Sequence, residues 1–151
     1  MSNVSTVYDT LITIVDGLFS DKKRLPNPYN ILENDSFRKK LGWGLKMGPS
    51  TIGTIDLFNK HVESREFSIV FTKLAQKLKN AKDGFDDPAK GLIEDNNTLM
   101  VRLLSNDQIG IPSAIGIIEF VGNSGMELLE DDKSNYISTE TTFKVDIMED
   151  I

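Results

Sequence analysis

The apolar positions of this chain change period several times, and each change marks an element. Val4, Val7, Tyr8, Leu11, Ile14, Val15 and Leu18 recur every three or four residues. That spacing places them on one face of a helix and predicts the face as core. Ser2, Asn3 or Ser5 is placed to cap this helix, and Gly17 or Ser20 lies near its end.

After an irregular stretch, "LGWGLKMG" alternates. Leu41, Trp43, Leu45 and Met47 fall on one side and Gly42, Gly44 and Lys46 on the other, as in a half-buried strand. The two glycines leave room on the second side for another backbone or side chain to approach closely. "STIGTIDLFNKHVE" reads as a strand or as an extended hairpin arm. In "SREFSIVFTKLAQKL", Phe67, Ile69 and Phe71 point inward while Val70 asks for partial cover on the other face. This segment is the best candidate for a central strand. Asp87 before Pro88 is a helix-start signal. Ala89, Leu92, Ile93, Met100, Leu103 and Leu104 then predict a second amphipathic helix running to about Ser105. "IPSAIGIIEFVG" predicts a strand, and "GNSG" at residues 122–125 a hairpin turn. Thr139, Thr141, Phe143, Val145 and Ile147 predict a last strand. The sum is one α+β domain over residues 1–151: a mostly antiparallel, mixed β-sheet with two α-helices packed on one face.

Composition narrows the class. A chain of 151 residues, 39% hydrophobic and 26% charged, fits one globular domain that buries roughly 70% of its unfolded surface. No apolar run reaches the roughly 18 residues that span a bilayer. The opening run has no basic leader and carries Asp9 and Asp16 within its apolar pattern, so a native helix is expected there and not a secretion signal. The absence of cysteine excludes disulfides and thiolate metal sites. A reducing cytoplasm, or a particle assembled in one, is the expected compartment, and the sequons "NVS", "NDS" and "NNT" read as chance matches.

Net charge is −6, from 17 basic and 23 acidic residues. Residues 126–151 hold eight acids and two bases, so the whole imbalance lies in that segment. An acidic surface repels phosphates and disfavours ordinary nucleic-acid binding. The basic groups Lys22, Lys23 and Arg24, and Arg38, Lys39 and Lys40, read as solvated or interfacial.

Chemistry-bearing motifs are sparse. His61 is the single histidine; it sits in a polar run with no nucleophile motif around it. "DGFDD" (residues 83–87) and "EDD" (residues 130–132) lack the alternating acids and trailing glutamate of a calcium loop. "GNSG" opens no helix that would cradle a phosphate, and "GWG" is no dinucleotide fingerprint. No context singles out a carboxylate pair for acid–base work. No catalytic, metal-binding or cofactor-binding residue is expected.

The segment "KRLPNPYNILENDSFRKKLGWGLKMGPS" is elaborate for a stretch without chemistry. Pro26 and Pro28 pre-set their own backbone angles and restrain their neighbours, so "LPNPYN" costs little entropy to order. Tyr29 and Trp43 are suited to anchoring an interface, and Arg24 to bidentate contacts. From the residues alone, Arg24, Pro26, Asn27, Pro28, Tyr29, Asn30 and Trp43 form either a contact surface or a loop covering one end of the sheet.

This run resembles a pattern in the tail terminator and tail completion (neck) proteins of tailed bacteriophages. In those proteins an N-terminal helix leads to a basic R-x-P-N-P-Y-like turn, an acidic or Asn-containing bend and a glycine-rich G-W/Y-G strand. Here these correspond to Arg24, to residues 26–29, to residues 33–35 and to residues 42–44. "REFSIVFTK", the second helix and "YISTETTFKVDI" are similar to that family in order and length. The resemblance implies structural work without cofactor or reaction: a homo-oligomeric ring, commonly hexameric, that caps the tail tube and presents a surface to the head–tail connector. The expected partners are the chain itself, the tube protein and the connector or stopper protein, with genomic DNA passing through unbound and no membrane. The expected location is the virion neck, after assembly in the host cytoplasm. On that reading Glu127, Glu130, Asp131 and Asp132 either face the channel, repelling DNA, or form a solvated hairpin on the outer rim. Another neck or tail-tube component, a small cytoplasmic adaptor or inhibitor, and a carboxylate-based enzyme remain as alternatives.

Overall fold

The computed structural model describes residues 3–25, 27–29, 42–55, 60–75, 81–104, 114–130 and 135–150. Its elements are α1 (Asn3–Leu18), β1 (Lys23–Arg24), β2 (Gly42–Ile55), β3 (Lys60–Ala75), α2 (Ala81–Leu103), β4 (Ala114–Asn123), β5 (Glu127–Glu130) and β6 (Asn135–Asp150). The strands form one sheet in the order β1-β2-β3-β6-β4, with β5 also paired to β6. β1 joins β2 in parallel, and the other pairings are antiparallel. The fold is the mixed α+β arrangement that the periodicities predict.

The spine is β3 against β6, in register from Lys60 opposite Asp150 to Ala75 opposite Asn135. Because side chains alternate along a strand, this register puts Phe67, Ile69 and Phe71 on the same face as Phe143, Val145 and Ile147. Both helices close that face. Val7, Leu11 and Val15 of α1 and Leu92, Leu99 and Leu103 of α2 join those six residues, Trp43 and Leu45 in one buried cluster. Phe67 stacks on Phe143 at 6.2 Å between centroids, and Phe19, just past α1, meets Phe71 edge-on at 5.0 Å.

Of the two readings of "STIGTIDLFNKHVE", strand or extended hairpin arm, the structure takes the hairpin arm, since β2 continues to Ile55 and β3 returns from Lys60. A register shift between Met47 and Ser50 bends β2 at Pro49, as bulges do on outer strands. The second face is also partly covered: Val70, Thr72, Ser68, Tyr136 and Ser138 are buried there.

The first-turn N–H of Val4 is capped by the Glu149 carboxylate at 2.7 Å, while the Asn3 side chain donates to the Met148 carbonyl at 2.5 Å. Local sequence does not show this contribution from the far end of the chain, and Ser2, also expected as a cap, lies outside the described residues. Three expectations need correction. α2 begins at Ala81 and holds Pro88 inside it; a proline there forfeits one backbone bond without ending the helix. Its buried row is Leu92, Leu99 and Leu103, with Ile93 and Leu104 more than half exposed. Finally, "GNSG" is no hairpin turn. β4 and β5 run the same way along β6, with Asn123 opposite Thr141 and Glu127 opposite Ser138. The outer chain thus spends one residue more than β6 over the same span, which defines a bulge. Gly125 takes φ of 78° within it, the left-handed position such bulges assign to glycine.

Candidate assembly surface

The chain leaves α1 through a tight turn, with the Lys22 N–H donating to the Phe19 carbonyl at 2.9 Å. Lys22 then fixes the turn to α2: its ammonium lies 3.4 Å from Asp95, which also faces Lys73 at 3.9 Å. With its side chain about 15% exposed, the Asp95 carboxylate offsets its desolvation through these two lysines.

β1 follows at the outer edge of β2, pairing Lys23 with Gly42 and Arg24 with Trp43. A side chain on Gly42 would overlap the Lys23 carbonyl, 1.6 Å from where its Cβ would stand. Leu25 donates its N–H to the Trp43 carbonyl at 2.7 Å and is buried. The chain then folds onto the second face. Pro28 sits over Gly44, its Cβ 2.6 Å from the position a side chain there would take. The close approach anticipated from the two glycines is therefore made by the Lys23 backbone at Gly42 and by Pro28 and Leu25 at Gly44.

Asn27 closes this turn, its side-chain oxygen accepting the Tyr29 N–H at 3.2 Å. The Tyr29 hydroxyl accepts the Met47 N–H at 3.4 Å, and the Lys46 ammonium lies over its ring at 5.8 Å while pairing with Glu140 at 3.3 Å. Tyr29 nevertheless remains 68% exposed. Arg24 is exposed as well; its guanidinium lies 5.8 Å from the Trp43 ring centre and donates to the Tyr8 hydroxyl at 3.4 Å. Beside Tyr8 opens a depression of about 460 Å³ lined by Val4, Ser5, Tyr8, Asp9 and Met47.

Of the residues expected at an interface, Arg24, Asn27, Pro28 and Tyr29 line the outer edge of β2 as one ledge. Arg24 lies toward the helix-covered side beside Tyr8 and Trp43, and Pro28 and Tyr29 lie toward the second face over Gly44 and Lys46. Pro26 and Asn30 lie outside the described residues. Trp43 needs correction: its ring is fully buried in the core, so it supports the ledge from beneath and cannot reach a partner. The strand alternation that grouped it with Leu45 was the better guide than its residue type.

The acidic group is only partly described. Glu127 is exposed on β5, opposite Ser138; Glu130 ends that strand, and Asp131 and Asp132 lie outside the described residues. His61 stands partly exposed on β3, between Thr54 and Glu149 in register. Among the described residues, no three His, Cys, Asp or Glu side chains converge to hold a metal ion. No helix among them is long and apolar enough to cross a membrane.

Two features escaped sequence reasoning. On the helix-covered face of the arm, Arg65 pairs with the buried Glu63 and donates to the Gly48 carbonyl at 3.0 Å. Their spacing of two residues on one strand was the available signal. Under the β4–β5 bulge, the Thr141 hydroxyl donates to Asn96 of α2 and accepts from Asn123 at 2.8 Å. Asn123 also accepts the Gly125 N–H at 2.8 Å. That link spans three elements, and no local pattern announces it.

No protein-family model matches this chain, and no curated protein matches it in sequence.

Proposed function

We propose that this chain is a structural virion protein of a tailed bacteriophage. In that role it is a tail terminator or tail completion protein, whose ring, hexameric as in the family it resembles, caps the tail tube and joins it to the head–tail connector around the DNA channel. The observation that carries the reading is the ledge of Arg24 and Tyr29. A stiff proline-containing segment is seated on two glycines, and it presents an exposed arginine and an exposed tyrosine. Arginine and tyrosine are enriched among the residues that dominate binding energy, and a rigid segment forfeits little entropy when bound.

The resemblance to neck proteins includes this same segment, along with the later strands and the second helix, so sequence pattern and geometry support one reading. Its partners are further copies of the chain, the tube protein and the connector or stopper, with DNA passing through; its place is the neck of the virion after assembly in the host cytoplasm. Electron microscopy of the purified chain tests it. The expected images are annular particles with a central hole, and gold-labelled antibody should mark the head–tail junction of intact virions. Label confined to another part of the particle would reassign the protein to a different station.

A further inference from the structure

Both long margins of the sheet are open among the described residues. On β2, β1 pairs only Gly42 and Trp43; on the other side, β4 and β5 pair β6 alone. Open margins present rows of unpaired N–H and C=O groups, which proteins normally blunt with charge, proline or cover.

The two margins differ in chemistry. The Leu25 N–H reaches the Trp43 carbonyl, and the Met47 N–H reaches Tyr29. The polar groups of these alternate residues therefore face outward, away from β3. Met47 stands opposite Phe67 and Ser50 opposite Arg65, so past the bulge the outward positions pass to Ser50 and Ile52. Pro49 and the bulge protect the margin only up to that point. From residue 50 to 55, "STIGTI" has no charge and no proline, and Ile52 is 65% exposed. The margin formed by β4 and β5 instead carries Glu119, Glu127 and Glu130 and no base, with Val121, Met126 and Leu128 about half exposed.

Resting on the ring reading above, we propose that the residue 50–55 margin of one copy pairs as a strand with the β4 margin of the next copy, head to tail. Charge selects this occupant. Two β4–β5 margins would bring acids against acids, and like charges across a strand pair are unfavourable. The β2 margin carries no acid between residues 44 and 55, its one base there, Lys46, being paired with Glu140. It continues directly from Tyr29 and Arg24, so ledge and strand margin make one surface. Pairing two different surfaces leaves each copy with one of each to offer, which is the condition for closing a ring.

The cysteine-free chain permits a direct test. Thr51 and Gly53, opposite Ser64 and Val62, share the second face with Glu119, opposite Lys144, and all three are exposed. Full-length Thr51→Cys (or Gly53→Cys) and Glu119→Cys proteins, dissociated, mixed, reassembled and oxidised, should give a disulfide-linked dimer on a non-reducing gel. Neither variant alone should give one, and the double variant should give a ladder. Ile52→Pro removes an outward N–H that β3 does not use, and it should lower the assembled fraction at least tenfold with unchanged far-UV circular dichroism. Cross-linking of either single variant with itself would overturn the proposal in favour of two-fold pairing. Multimers of undiminished mass that cross-link in no combination would overturn it while leaving the ring reading in place.

Discussion

The Cβ of Pro28 lies 2.6 Å from where a side chain on Gly44 would begin. This contact ties the turn that carries Arg24 and Tyr29 to the second face of β2, and it makes the ledge sensitive to a single methyl group. Gly44→Ala should cost about 1–3 kcal/mol in urea denaturation, the usual range for overpacking. It should also speed proteolysis within residues 22–29. Gly53→Ala is the control on the same strand: among the described residues its new Cβ meets only the Val62 carbonyl at 3.9 Å, and proteolysis within residues 22–29 should not change.

The centre of the core is the next test. Phe71 is fully buried and takes the edge of Phe19 at 5.0 Å. Phe71→Ala should cost about 3–5 kcal/mol, as buried phenylalanines do. A loss below about 1 kcal/mol would contradict its central position on β3.

Sequence reading succeeded where one period ran unbroken. Val7, Leu11 and Val15, or Phe67, Ile69 and Phe71, needed only regular alternation and one buried side. Gly42 and Gly44 announced a close approach because small residues opposite Trp43 and Leu45 leave a furrow. It failed where a local signal had two solutions. "GNSG" suits a hairpin and a bulge equally, and only the pairing of both flanking strands with β6 decides. Pro88 marks a helix start in isolation but is tolerated inside a longer helix. Trp43 joined the interface candidates through its residue type, although its strand position already assigned it to the core. Glu149 over Val4, and Thr141 between Asn96 and Asn123, depend on contacts between distant segments that no window contains.

The ion pair on the arm gives a third expectation. Removing Arg65 leaves the Glu63 carboxylate, whose side chain is 9% exposed, without its partner. Arg65→Ala should therefore cost about 3–5 kcal/mol, whereas the double change Glu63→Gln and Arg65→Met should cost far less. Chemical denaturation of the two variants compares them; equal losses would mean that the pair holds the bulge at Gly48 and that charge burial is secondary.

Charge bears on function through Glu127, Glu130, Asp131 and Asp132. If they line the channel, replacing Asp131 and Asp132 with lysine, which keeps the acids of the β4–β5 margin, should leave assembly intact but slow DNA ejection. The effect should be strongest at low salt, because each lysine–phosphate contact adds affinity that salt removes. Repulsion by the native acids acts over about 8 Å at physiological ionic strength. Ejection kinetics equal to the parent at low salt would place these acids on the outer rim.

The ledge itself is tested most directly by mass in solution, measured by light scattering over a range of concentrations. The parent chain should be a closed multimer. Arg24→Ala combined with Tyr29→Ala should be a monomer with the far-UV circular dichroism of the parent subunit, since both side chains are exposed and neither belongs to the core. A parent that stays monomeric at every concentration, or a double variant that assembles as the parent does, would contradict the account.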